Sequence, residues 1–329
     1  MKTLAVVCPV YNEAEVIERF HEALGAVLDS VAHRYASQIL FVLDRSTDGT
    51  LALLRGLASR DPRVRVLALS SRFGHQMSLL AGIDHAEADA VVMLDSDLQH
   101  PPELIPRLLD EFEKGRDIVY TIRQDSEDIG FLKRITSRLF YRLINLVSQI
   151  PIDQSAADYR LISRRVAEVF RTRIRERNQF LRGLFAWVGY ERVGVPFQVR
   201  GRAGGRSKYS IRRLFSFAIA GITSFSKRPL QAAIYVGFAF ALLALVMATA
   251  TLAQYFMYRA LPPGWATIVI VVSGLNGVQL IFLGILGEYI GAIFDEVKQR
   301  PHYLVEEKVN FPPDAKGAAL TPSERPPGA

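Results

Sequence analysis

No charged residue occurs between Arg228 and Arg259, and none again between Arg259 and Glu288. Each run exceeds the roughly 20 residues that carry an α-helix across the hydrocarbon core of a bilayer. Core helices of a soluble domain seldom run so long without a charge. The pattern therefore predicts two transmembrane helices, about 230–258 and 266–288, within the span 229–290. The link YRALPPGWA is short and turn-like, which makes the pair a hairpin. Lys227, Arg228, Lys298 and Arg300 flank the outer ends against a single Arg259 in the link. The positive-inside rule then places both termini, and the long segment ahead of the hairpin, on the cytoplasmic side of an inner membrane. Tyr255, Tyr258 and Trp265 beside the link suit an interfacial aromatic belt.

The chain ahead of the hairpin has a different texture. Short β-branched runs (TLAVVCPV, QILFVLD, RVRVLAL, DAVVMLD, DIVYTI) alternate with segments of helical period up to about residue 123. Such alternation predicts an α/β domain with a mostly parallel sheet covered on both faces, and the nearly continuous apolar strands agree with that. In open sheets of this kind, ligands bind beyond the carboxyl ends of the strands. Three polar clusters fall at such ends: PVYNE, LDRSTDGT and LDSDLQH. The N-terminus is not expected to be a signal peptide, because Asn12, Glu13 and Glu15 follow its short apolar stretch at once. The single cysteine, Cys8, rules out an internal disulfide framework and lies in an apolar run that suits a small core residue. No internal repeat is present.

Residues 127–150 form an amphipathic helical pattern, with leucines at helical spacing and Lys133, Arg134, Arg138 and Arg142 among them. It suits either a helix packed on the sheet or one lying at a membrane surface. Residues 206–228 read similarly and lead directly into the hairpin, so they are expected to be amphipathic juxtamembrane helices. The net charge of +7 fits anionic lipid, phosphate-bearing ligands or nucleic acid. The hairpin and the acidic strand ends argue against nucleic acid. From Phe311 onward the tail is rich in Pro, Gly and Ala and is expected to be disordered.

The cluster LDSDLQH carries the most specific chemistry. Residues i and i+2 of a strand face one way, so Asp95 and Asp97 can present two carboxylates together. Hard divalent cations are commonly held by one or two carboxylates plus substrate phosphates, and the amide oxygen of Gln99 can add a ligand. The alternative is that the aspartates merely end a strand and cap a helix that Pro101 and Pro102 begin. Asp44, at the end of the second strand, can accept a hydrogen bond from a nucleobase, whereas Asp48 suits a helix cap.

Taken in order, PVYNE, LDRSTDGT, SRFGHQMSLLAGIDHA, DSDLQHPPELIP, DYRLISRR, FLRGLFAWVGY and the paired apolar helices ending LGILGEYIG resemble one family. It is the family-2 glycosyltransferases that load a sugar onto a polyprenyl phosphate, among them bactoprenol glucosyltransferases and dolichol-phosphate mannose synthases. The resemblance runs from about residue 3 to 305. It implies a GT-A nucleotide-sugar-binding fold, a UDP- or GDP-linked sugar donor, Mg²⁺ or Mn²⁺, a polyprenyl phosphate acceptor, a membrane location and a homotetramer. The implied organisation is a catalytic domain over 1–205, juxtamembrane helices over 206–228, the hairpin over 229–290, and a cytoplasmic segment over 291–329. By position, Asp95, Asp97 and Gln99 match the metal and diphosphate site. Pro9, Tyr11, Glu13 and Asp44 match the nucleotide pocket, and Asp158 matches an acidic residue near the sugar and acceptor phosphate. Arg123, Arg134, Arg202, Ser207 and Lys208 match groups that bind phosphate, a task for which the planar guanidinium fork is suited.

Two departures stand out. The family usually has an acidic or amide residue and then a glycine on either side of Asp44, where this chain has Leu43 and Arg45. The loop before Lys208 carries Arg206 where a glutamate is common. The expected reaction is inverting transfer of a hexose, UDP-glucose leading and GDP-mannose behind, to undecaprenyl phosphate. A phosphate oxygen attacks already charged, so Asp158 is assigned to positioning or weak base assistance. A processive synthase is disfavoured by the absence of a Gln-x-x-Arg-Trp motif and by having only two spans. A catalytically inactive membrane adaptor of the same fold has only the altered Asp44 region in its favour.

Overall fold

The computed structural model describes residues 1–124, 156–177, 180–198, 228–258 and 264–312. Arg134, Arg202, Ser207, Lys208, both amphipathic segments and the tail beyond Pro312 lie outside the described residues. So do the side chains of Tyr255, Tyr258 and Trp265.

The apolar runs form strands β1 (Lys2–Val10), β2 (Tyr35–Leu43), β3 (Val64–Leu69), β4 (Ala90–Met93) and β5 (Ile118–Gln124), followed by β6 (Ala156–Ser163), β7 (Arg192–Gln198) and β8 (Val305–Val309). They make one eight-stranded sheet in the order β7-β5-β6-β4-β1-β2-β3-β8. β4-β1-β2-β3 and β5-β7 pair in parallel, while β6 and β8 run antiparallel to their neighbours.

Period-two alternation divides β1 between two cores. Leu4, Val6, Cys8 and Val10 face helices α1 (Ile17–Ser30), α2 (Thr50–Arg60) and α4 (Ile105–Glu113). Ala5 and Val7 face α3 (His75–His85), α5 (Arg164–Thr172) and α6 (Leu181–Trp187). Every one of these strand residues is at most 2% exposed, so each large apolar side chain contributes roughly 1.5–3 kcal/mol of burial. Cys8 is buried in this core, as its surroundings in the sequence suggest, and burial pushes its thiol pKa well above the usual value. α3 lies against β1 so closely that a Cβ on Gly82 would sit 2.0 Å from the Val7 side chain. Glycine there lets the helix seat directly on the strand, which fixes where its first residue, His75, emerges.

Among the described residues after Gln198, β8 is the segment that returns to the sheet, pairing along β3. The sequence gives this strand no apolar run. VEEKV alternates instead, with Val305, Glu307 and Val309 partly buried and the residues between them exposed. Arg55 grips the Glu307 carboxylate with two guanidinium nitrogens. The Asn310 amide donates to the carbonyls of Ala58 and Val64. Phe311, expected to open a disordered tail, instead packs against His85 and beneath Arg65. Apolar contact and the cations above it hold the ring in place.

Helices α7 (Arg228–Tyr258) and α8 (Trp265–Val297) have 31 and 33 residues. Both contain stretches long and apolar enough to cross a membrane, Leu230–Gln254 and Gly274–Val297, and none of either stretch is buried by the protein. α8 continues past Glu288, the expected end, through Asp295 and Glu296. A helix has no reason to stop where its hydrophobic face ends if its backbone bonds continue. Its exit is tied to the α/β layers. The Arg177 backbone N–H donates to Glu296, and its guanidinium donates to the carbonyls of Arg300 and Pro301. The Tyr303 hydroxyl donates to Asp84, which Arg175 also pairs.

Candidate active site

The parallel strands β1, β2 and β4 end at one edge of the sheet. β6 runs the other way, so its beginning lies at the same edge. Met93 pairs with Arg160; extending that register by two residues sets Asp95 level with Asp158. The β5–β6 register shifts between Tyr120 and Ile122, opposite this start of β6, and such bulges re-aim side chains beside functional sites. Arg123, next to last in β5, stands at the same edge and is exposed.

The Asp-x-Asp turn is built around its middle residue. Ser96 is buried and its hydroxyl donates to the Pro9 carbonyl at 3.0 Å, joining the turn to the end of β1. Leu98 takes a left-handed φ of 60°, a costly conformation for a leucine that functional turns often retain. Asp97 accepts from the Gln99 backbone N–H at 3.0 Å and from the Gln99 side-chain amide at 2.6 Å. The Gln99 amide nitrogen thus orients Asp97, while its amide oxygen is the atom expected to serve a metal. Pro101 and Pro102 lead through a short 3₁₀ turn into α4, as their position in the sequence suggests. Asp95 lies between two imidazoles. His75 Nε2 is 3.5 Å from one oxygen and His100 Nδ1 is 3.3 Å from the other. The His100 ring is held between Tyr159 and Phe197, with centroids 5.7 and 5.6 Å away.

On the β1 side, Pro9 is buried and Tyr11 lies under the Arg72 guanidinium, 4.0 Å from ring centroid to cation. Asn12 adopts a left-handed φ of 53° and exchanges hydrogen bonds with Thr47, while its N–H donates to Ser46. Asp48 accepts from the Thr50 N–H and hydroxyl and from the Ala14 N–H, stitching the first two strand-end loops together. Between these loops Glu13 titrates abnormally. Burial first, then the charges of Asp97, Asp48 and Asp95, push its pKa from 4.5 up to about 7. That surplus of negative charge is what a hard cation would relieve. Among the described residues no group of three or more acidic, His or Cys side chains closes on one point. Two carboxylates completed by substrate phosphates are the usual arrangement for Mg²⁺, and the chemistry of Asp95 and Asp97 fits it.

Asp44 is 4% exposed, and its two oxygens accept the backbone N–H groups of Phe73 and Gly74 at 2.8 and 3.0 Å. The residue expected to read a nucleobase thus anchors the loop that enters α3. Gly74 has φ of 91°, a region that side chains disfavour, and the residue after it is His75. Arg45, in place of the expected glycine, donates to the Ser70 carbonyl at the start of the same loop.

Asp158 is held at both of its oxygens. Arg182 Nε and Nη2 each donate to one of its oxygens at 2.7 Å. His75 Nε2 lies 3.7 Å away and the buried Arg160 3.6 Å away. Desolvation alone would raise its pKa, but the fork of Arg182, then His75 and Arg160, hold it well below the usual carboxylate range. For His75, desolvation works against the imidazolium, yet Asp158 and Asp95 prevail and the pKa is raised. Burial lowers Arg160 to about 10, against the opposing pull of Asp158. His75, His100 and Arg182 were not singled out by the motifs, though they lie within SRFGHQ, LDSDLQH and FLRGLFAW. A histidine at each border of the acidic turn was the available signal for the first two. Nothing in the spacing linked Arg182 to Asp158.

The strand-end acidic turn on an α/β sheet of this order defines a GT-A glycosyltransferase. Residues 5–170 match the glycosyl transferase family 2 profile, and the chain belongs to that family. It is 38% identical over 304 residues to an uncharacterized glycosyltransferase of Synechocystis, covering 92% of this chain and 95% of the relative. It is 36% identical over 304 residues to a prophage-derived bactoprenol glucosyl transferase of Shigella flexneri, covering 92% and 97%. Among solved structures, it is similar to glucosyl-3-phosphoglycerate synthase of Mycobacterium tuberculosis in complex with Mn²⁺, UDP and phosphoglyceric acid. There the TM-score is 0.47 at 17% identity, covering 68% and 76% of the two chains. A mannosyltransferase of Pyrobaculum calidifontis bound to GDP-mannose and Mn²⁺ gives 0.43 at 17% identity, covering 91% and 88%.

Proposed function

We propose that this glycosyltransferase moves glucose from UDP-glucose to undecaprenyl phosphate, inverting the anomeric carbon, at the cytoplasmic face of a membrane. The observation that carries the reading is near full-length similarity to a bactoprenol glucosyl transferase, coupled with two unburied apolar helices beside the catalytic sheet. Asp95 and Asp97 would hold Mg²⁺ or Mn²⁺, which when bound supplies positive charge to the departing diphosphate. Gln99 holds Asp97 through its amide nitrogen, and its amide oxygen would add a ligand. Pro9, Tyr11 and Glu13 line the nucleotide side. Arg123, with Arg134, Arg202, Ser207 and Lys208, would draw in and align phosphate groups. The acceptor oxygen arrives charged, so alignment and fixed charge account for most of the rate.

The experiment incubates membranes containing the protein with undecaprenyl phosphate and a panel of radiolabelled nucleotide sugars. Label from UDP-glucose entering the organic phase is the expected result. Label from GDP-mannose instead would make it a mannosyltransferase, and no lipid-linked label from any donor would refute the acceptor assignment.

A further inference from the structure

Asp95 and Asp158, brought level by the β4–β6 register, would repel each other and any phosphate placed near them. The groups around Asp158 answer that repulsion. Arg182 meets both of its oxygens at 2.7 Å, a two-point grip that fixes orientation as well as charge. Arg160 lies behind, buried, with its guanidinium 4.6 Å from the Phe185 ring centroid. Leu181, Leu184 and Phe185 seat α6 in the core. The Leu181 N–H donates to the Gln76 side chain at 3.2 Å, so the helix carrying Arg182 is tied to the residue after His75. Two of the three partners of Asp158, Arg182 and His75, therefore come from elements bound to each other.

We propose that Arg182 is a positioning residue for the transfer reaction, fixing the place and orientation of the Asp158 carboxylate beside Asp95. The inference rests on the polyprenyl-phosphate reading above. In the step it describes, the bond from the anomeric carbon to the donor diphosphate breaks and its electron pair leaves with the nucleoside diphosphate. The bond from the lipid phosphate oxygen forms with that oxygen's own electrons, and no proton is transferred. Asp158 contributes a charge of fixed place against which sugar and acceptor are aligned.

The test compares full-length wild type, Arg182→Gln and Arg182→Lys in transfer to undecaprenyl phosphate, with kcat and KM for both substrates. Thermal stabilisation by UDP plus Mn²⁺ is measured on the same preparations. Arg182→Gln should lower kcat by about 100-fold, the loss that a misplaced reacting group brings, while donor KM and the UDP–Mn²⁺ stabilisation stay as in wild type. Arg182→Lys should restore only part of kcat, because an ammonium cannot grip both oxygens. An unchanged kcat in Arg182→Gln overturns the inference. So does a loss of UDP–Mn²⁺ stabilisation parallel to the loss of activity, or full recovery by lysine. Wild type that makes no lipid product overturns the functional reading itself, whereas a wild type that transfers and an Arg182→Gln variant that matches it overturn this inference alone.

Discussion

Glu13 is a carboxyl group surrounded by carboxylates, and its stability contribution has the opposite sign to that of a salt-bridged acid. Its pKa is about 7 in the folded chain against 4.5 for a free side chain. The folded state therefore holds a proton that the unfolded state releases, and keeping Glu13 ionised in the fold costs stability. The cost is absent below pH 4.5, grows through the interval to about 7 and is complete above it. Two and a half pKa units correspond to roughly 3 kcal/mol, and about 2 kcal/mol after allowance for partial exposure. Glu13→Gln should raise the thermal midpoint of the detergent-solubilised protein at pH 8, by an amount that dwindles as pH falls toward 4.5. A pH-independent gain would show that the neighbouring charges are not its cause. Asp97 supplies the largest of those charges and stands in the proposed metal site. Asp97→Ala should cut transfer by at least about 100-fold, since even outer partners of metal ligands cost about 10–100-fold. It should also abolish Mn²⁺-dependent stabilisation by UDP. Near-normal transfer with metal present would remove Asp97 from the site.

At the scale of elements, Asp44 connects the end of β2 to the loop that feeds α3. Both oxygens accept N–H groups, and an asparagine would turn an N–H₂ toward one of them. Leaving a buried donor unmatched costs about 1–3 kcal/mol. Asp44→Asn should lower the thermal midpoint and reduce kcat, because Gly74 and then His75 depend on that loop. If Asp44 reads the base instead, the variant would lose UDP affinity with its stability intact, and titration calorimetry alongside melting separates the two. The case also marks where the sequence was legible. β1 to β5 stood out as apolar runs because both faces of a parallel sheet are buried, and Asp95 and Asp97 stood out because acids rarely close such a run. β6 did not stand out, since it carries Asp158 and the buried Arg160 within a pattern that is polar at the site end. β8 did not either, as an edge strand needs only alternation and here places glutamate on the partly buried face, where Arg55 meets it. Asp44 was visible as a strand-end acid, but whether such an acid faces a ligand or its own backbone depends on a loop thirty residues away. Spacing does not encode that.

For the whole molecule, the question is what α7 and α8 contact. Phe238 is 72% exposed, Leu242 63% and Ile281 64%, and the Leu230–Gln254 stretch has a mean hydropathy of 2.2. A soluble protein with so much continuous apolar surface would aggregate. α7 and α8 touch each other, and neither of their apolar stretches is buried by the protein. Their lengths of 31 and 33 residues correspond to about 47 and 50 Å, against a hydrocarbon core of about 30 Å. A span therefore leaves a turn or more of helix for the interface, and on α8 that surplus carries Asp295 and Glu296 toward Arg177 of the catalytic layers. If the helices cross the bilayer, the full-length chain should stay in the membrane pellet through alkaline carbonate and about 1 M salt, where charges are screened beyond about 3 Å, and should leave it only with detergent. Release by salt alone would mean that the chain is held by its positive charge, with the apolar helices lying elsewhere than in the hydrocarbon. The spanning arrangement would place the carboxyl ends of β1, β2 and β4 on a domain anchored at both ends of the hairpin. On the proposed function, a water-soluble donor and a lipid-borne phosphate would meet there without either leaving its own phase.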